Sequence, residues 1–168
     1  MTPFRPMRRI RQQLSQEQCD QILARCTSGV LALMGDGGYP YAVPMSYVYV
    51  DGKIYFHSAK QGHKVDAIGR DSHCSFCVIA QDDVKPDEFT TYFRSVIAFG
   101  RIHIVDDDTE RLLALRHLGR RYSPGDEAGL QSEIDKSVAQ VLLLCLDIEH
   151  MTGKEAIELV QAKGNIFN

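Results

Sequence analysis

The sequence predicts a mainly β fold, an antiparallel barrel of about six strands with a few peripheral helices. Three observations lead there. Apolar or alternating runs of strand length recur from Gly29 to Glu149. Asp51-Gly52 stands between two of them as a hairpin turn. The helical patterns are too few for a βαβ alternation.

Composition sets the outer limits. With 168 residues, 44% of them hydrophobic, the chain suits one domain over residues 1–168, burying roughly 70% of its unfolded surface. Its 19 basic and 22 acidic residues leave a net charge of −3, so no general field attracts nucleic acid and an anion must be met by a local cluster. No run approaches the roughly 20 apolar residues of a membrane helix. The N-terminus, with Pro3, Pro6, Arg8, Arg9 and Arg11, lacks the apolar centre of a signal peptide. A cytoplasmic protein with no membrane or nucleic-acid partner is expected. Cys19, Cys26, Cys74, Cys77 and Cys145 form an odd set in apolar surroundings and read as reduced, packed thiols. Cys74 and Cys77 lie three apart on a strand, so they point to opposite faces and do not pinch a metal.

Residues 1–13 read as a basic arm, mobile at its start. Ser15, with Gln18 three residues on, forms a capping box for a helix whose apolar face is Cys19, Ile22, Leu23 and Cys26. Gly29 to Met34 is a strand buried on both faces, and Gly35 to Gly38 turns it into the hairpin. A two-residue turn at Asp51-Gly52 sets Val50 opposite Lys53. Extending that register pairs Tyr49/Ile54, Val48/Tyr55, Tyr47/Phe56, Ser46/His57 and Met45/Ser58. Met45, Tyr47, Tyr49, Ile54 and Phe56 then share an apolar face, and Ser46 lies beside His57 on the other.

Lys64 to Arg70 is a short helix with Val65 and Ile68 inward, and His73 to Ala80 is a further strand. Gln81 to Thr90 is a charged surface connection. Thr91 to Val105 is too long for one flat strand, and Gly100 is where it bends. Asp106 to Asp108 cap a helix from Thr109 to Arg121 with Leu112, Leu115 and Leu118 inward. A polar helix near Leu130 to Ser137 and a strand from Val141 to Glu149 complete the chain.

Two local features carry chemistry. Gly62-His63-Lys64 opens a helix: the glycine lets backbone approach an anion, the first amides are free, and Lys64 adds a full charge. A solvated lysine after a loop glycine is an equal reading of the spacing alone. Met151-Thr152-Gly153-Lys154 lacks both the upstream glycine and the following Ser/Thr of a phosphate loop. His103, His117 and His150 show no shared metal spacing, and no metal site is expected.

The ordered blocks MRRIRQ at Met7, PYAVPMSYVYVDGKIYFHSAKQGHK at Pro40, HCSFCV at His73, YFRSVIAFGRI at Tyr92 and LDIEHMTGK at Leu146 resemble the pyridoxamine-phosphate-oxidase-like flavoproteins, in their nitroimidazole-resistance (Nim-type) branch. The resemblance implies an FMN-binding split barrel that forms a homodimer with flavin at the subunit interface. By position, Pro44, Met45 and Ser46 border the flavin ring. His57, Ser58, Ala59, His63 and Lys64 hold its ribityl chain and phosphate, and Arg94 and Ser95 match the family's YRS element. Oxidation of pyridoxamine phosphate is not implied, because no arginine follows Arg121. The resemblance points to an FMN-dependent oxidoreductase acting on a small oxidised or nitroaromatic compound, with FAD as the alternative cofactor. His57 or His63 is the candidate proton donor. Two other readings stand beside it: a flavin carrier or sensor without dedicated catalysis, and a haem-binding barrel with His57 or His63 as axial ligand.

Overall fold

The computed structural model describes residues 4–164, so the start of the basic arm lies outside the described residues. Seven antiparallel strands form one sheet: β1 Ser28–Met34, β2 Pro40–Ser46, β3 Val48–Val50, β4 Lys53–Ala59, β5 His73–Lys85, β6 Thr90–Ile104 and β7 Val141–Glu155. Among the described residues five α-helices surround it: α1 Gln16–Arg25, α2 His63–Arg70, α3 Asp108–Tyr122, α4 Glu127–Ser137 and α5 Ile157–Gly164. The strand order is β2-β1-β5-β6-β7-β4-β3. Its two edge strands, β2 and β3, are consecutive in the chain and separated by Tyr47 alone. The sheet must therefore curl until its edges meet, which makes a barrel split along one seam.

That seam corrects the expected hairpin. Val48↔Tyr55, Tyr49↔Ile54 and Val50↔Lys53 pair as predicted. Beyond Val48 the ladder stops. β2 turns away to pair with β1, from Ser28↔Ser46 to Met34↔Pro40, while β4 pairs along its whole length with β7, from Lys53↔Asp147 to Ala59↔Val141. Tyr47/Phe56, Ser46/His57 and Met45/Ser58 are consequently not partners. Two full ladders satisfy more backbone groups than one long hairpin with two open edges. The face assignment survives because it depends on alternation alone: Tyr47, Ile54 and Phe56 are fully buried.

Tyr47 pins the seam. Its hydroxyl donates to the Leu23 carbonyl (2.8 Å), and its N–H donates to the Tyr122 hydroxyl (2.9 Å), which also lies within hydrogen-bond reach of the Thr27 carbonyl. Tyr122→Phe removes the bridge from α3 to the seam, and a loss of about 1–2 kcal/mol is expected in urea unfolding.

One apolar cluster fills the barrel, with Tyr47 and Phe56 each edge-on to Phe76 (4.9 and 5.1 Å between ring centres). A second lies outside, where Leu115, Leu118 and Ile134 of α3 and α4 cover Tyr55, Leu143 and Cys145. β7 serves both: Leu144 and Leu146 point inward, Leu143 and Cys145 outward, which is why its sequence is apolar at consecutive positions.

Several boundaries differ from expectation. β1 is covered on one face only, since Val30 and Met34 are 37% and 51% exposed. Gln81 to Thr90 is mostly strand, β5 continuing to Lys85 and turning through Pro86–Glu88. Its charged side chains are those of a solvated two-stranded ribbon, Asp82 opposite Phe93 and Asp83 opposite Tyr92. Leu112 is exposed, because the buried stripe of α3 runs through Ala114, Leu115 and Leu118. β7 extends to Glu155. The Ser15–Gln18 capping box forms as read, and β6 shifts register between Phe99 and Gly100. Among the described residues no helix is long and apolar enough to cross a membrane.

Candidate functional site

β4 ends in alternation: His57 and Ala59 face out while Ser58 is buried, its hydroxyl donating to the Ala59 carbonyl (3.1 Å). The chain then turns through Lys60–Gly62 into α2. Gly62 has φ 129, a conformation that a Cβ would strain, and no side chain caps the helix. Val65 and Asp66 donate to the Gly62 carbonyl (2.9 and 3.1 Å), leaving the His63 and Lys64 amides without an acceptor among the described residues. Lys64 makes no ion pair there either. His63 is engaged: its ring stacks on Tyr41 (4.0 Å), and Nε2 lies 3.5 Å from Asp36, which Arg70 also holds (2.7 Å). The arrangement offers an anion two amides, a helix N-terminus and one lysine charge.

The remaining predicted residues divide into two groups. Pro44, Met45 and Ser46 lie on edge strand β2, opposite Val30, Gly29 and Ser28, with Met45 packed on the barrel core. A proline suits this edge, where no ladder partner needs its missing N–H. Arg94 and Ser95 are elsewhere. They pair with Glu155 and Lys154 near the end of β7, whereas His57 and Ser58 pair with Leu143 and Leu142 near its start. At about 3.3 Å per residue, roughly 40 Å of bent strand separates them. Arg94 Nε donates to Glu155 (3.1 Å) and Nη1 to Gln81 (2.9 Å), at a cleft of about 280 Å³ that Gln18, Gln21 and Arg25 also line.

Sequence reasoning missed the wall beside His57. Its imidazole borders a mostly apolar cleft of about 340 Å³ under α3 and α4, lined by Leu118, Tyr122, Leu130, Ile134 and Val141. The apolar spacing of α3 was the available signal, but nothing local says that α4 folds back over β4. All five cysteines are free; burial pushes the Cys74 thiol up to about 12, and it raises Cys77. Neither is a ready thiolate at neutral pH. Gly153 and Lys154 lie within β7, with Gly153 packed against Leu14 and Cys19, so they form no phosphate loop.

A family model described as pyridoxamine 5′-phosphate oxidase matches residues 15–155. The chain belongs to this family. Solved structures of similar fold include a candidate 5-nitroimidazole antibiotic resistance protein from Bacteroides thetaiotaomicron (TM-score 0.73, 21% identity, covering 85% of this chain and 86% of that one). They also include the FAD and heme binding protein from Mycobacterium smegmatis (0.75, 27%, covering 86% and 73%). A third is an FAD-binding protein from Mesorhizobium loti (0.63, 26%, covering 86% and 96%). The first likeness bears on the fold alone. Among curated proteins no sequence matches. Family membership fits the split barrel seen here, and within it the β4–α2 corner is the anion-ready element.

Proposed function

We propose that this chain is a flavin-dependent oxidoreductase that binds FMN at the β4–α2 corner and passes electrons to a small oxidised compound, a nitroaromatic in the first instance. The observation that carries the reading is the Gly62–Lys64 loop: a positive-φ glycine, two amides without acceptors and a lysine without an ion pair among the described residues. That donor set suits a terminal phosphate. Similar proteins named as FAD-binding support a flavin as the group that carries it. Lys64 and the His63 and Lys64 amides would hold the phosphate, Ala59 and His57 would lie along the chain next to it, and Pro44 to Ser46 would border the ring. The bound flavin supplies the two-electron chemistry. His57, bordering a cleft, is the better placed of the two candidate proton donors, since Tyr41 and Asp36 occupy His63.

A homodimer is part of the proposal. Arg94 and Ser95 stand on β6 beside the end of β7, and His57 on β4 beside its start, so a second copy would bring them to the flavin. The outer sheet face favours such a partner: Val30, Cys77 and Ile97 line up directly across β1, β5 and β6, and Ile79 beside them is 66% exposed.

The test is the visible spectrum of the purified protein and the mass of whatever heat releases, followed by titration with FMN and FAD. A released or readily bound flavin is expected, and Lys64→Ala should weaken its affinity at least tenfold without lowering the melting temperature. A colourless protein that takes up neither flavin overturns the proposal. A flavin that no donor reduces supports the carrier reading instead, and porphyrin bands the haem one.

A further inference from the structure

The outer face of β4, β7 and β6 carries a second polar cluster. Cross-strand pairing sets Tyr55 and His103 on either side of Cys145, and Lys53 and Arg101 on either side of Asp147. Cys145 and Asp147 are two apart on a strand and project from the same face. His103 Nδ1 lies 3.3 Å from Asp147 Oδ2, and Cys145 Sγ lies 4.0 Å from Asp147 Oδ1. One ligand atom from each of the three stands within 4.8 Å of the others. A tetrahedral ion with bonds of about 2.0–2.3 Å needs ligand atoms roughly 3.4–3.6 Å apart. Small side-chain adjustments close the difference.

We propose that His103, Cys145 and Asp147 form a three-ligand site for one transition-metal ion, zinc in preference to magnesium or calcium. The ligand chemistry favours it, because a thiolate and an imidazole beside one carboxylate suit a borderline-soft ion better than a hard one. Access comes from two of the three ligands: Cys145 is fully buried, but the His103 and Asp147 side chains are each 47% exposed, which leaves an entry path and a fourth position for water. Burial holds the Cys145 thiol well above the usual thiol range, so it starts protonated, and its proton passes to solvent as the sulfur–metal bond forms. Charge is the third argument. Asp147 and Glu110 face a single ammonium, Lys53, at 3.5 and 3.3 Å. A dication with a thiolate brings these groups to neutrality. Lys53 partly fills the cation's role in this cluster and so competes with the metal.

That competition supplies a distinctive test. A tag-free chain is titrated with cobalt(II), the spectroscopic stand-in for zinc, and then with zinc as competitor. One equivalent is expected to bind with a thiolate-to-cobalt charge-transfer band that zinc abolishes and that Cys145→Ser lacks. His103→Gln and Asp147→Asn should each weaken binding at least tenfold, Lys53→Met should strengthen it several-fold, and His73→Gln should change nothing. If Cys145→Ser fails to fold, the half-exposed His103 and Asp147 variants carry the test. Absence of the band at saturating cobalt, or a band that survives both variants at unchanged affinity, overturns the site and leaves the cluster an ion-pair network.

Discussion

Gly100→Ala is expected to destabilise the protein by about 3 kcal/mol or more, the largest effect of any single added methyl group in the barrel wall. At Gly100 β6 shifts register against β7, and a Cβ there would fall inside the van der Waals radius of the Asp147 carbonyl. The obstacle is backbone. It cannot rotate aside as a leucine tip would, so relief requires parting β6 from β7, the strands that join the two halves of the sheet. A drop of roughly 6–12 °C in melting temperature follows for a chain of this size. Gly69→Ala is the control: Gly69 lies in α2, with nothing within 4 Å of an added Cβ. It should be neutral or stabilising by up to about 1 kcal/mol. If Gly100→Ala costs no more than the control differs from wild type, the close approach at the bulge is not a constraint on the fold.

Arg94→Ala should cost about 2–4 kcal/mol, an effect on stability that appears before any ligand is added. Glu155 is 3% exposed, and its carboxylate accepts from Arg94. Removing one partner of a buried pair is worth roughly 3–5 kcal/mol, discounted here because the Arg94 side chain is 30% exposed. The pair also anchors a junction. Gln12 donates to the Glu155 carbonyl (2.9 Å), Leu14 to that of Gly153 (3.0 Å), and Ala156 to that of Phe93 (3.0 Å), so the residues before α1, β6 and the end of β7 meet there. Urea unfolding of Arg94→Ala, Glu155→Gln and Arg94→Met/Glu155→Gln measures it, with the double variant recovering part of the loss. Flavin titration of Arg94→Ala must be run where the variant is folded. Wild-type stability combined with lost flavin affinity would show that Arg94 serves the ligand and not the junction.

These two positions show how differently sequence can speak. Gly100 was legible because a strand-like run of that length has to bend, and glycine is the residue that bends it without clash. Arg94 was legible only by its resemblance to a family element, which suggested a ligand contact; its partner Glu155 is 61 residues away and carries no local signal. The same division runs through the candidate site. Gly62-His63-Lys64 could be read as an anion loop because glycine, free amides and lysine act within a few residues of one another. The cleft beside His57 could not, since its walls come from α3, α4 and β7.

By itself the sequence determined whatever depends on neighbours along the chain. The Ser15 capping box, the Asp51-Gly52 turn, the inward faces of Tyr47, Ile54 and Phe56, and the opposed sides of Cys74 and Cys77 follow from dihedral preference and a period of two. The tertiary structure alone decided which strands pair. Alternation fixes the face a strand presents and is satisfied by any partner of the same period. The choice of β1 for β2 and β7 for β4 therefore rests on closing the barrel at Tyr47, where seven strands share one core and few backbone groups are left at an edge. That choice parted Ser46 from His57, and the β6–β7 register set Arg94 beside Glu155, at the other end of β7 from His57.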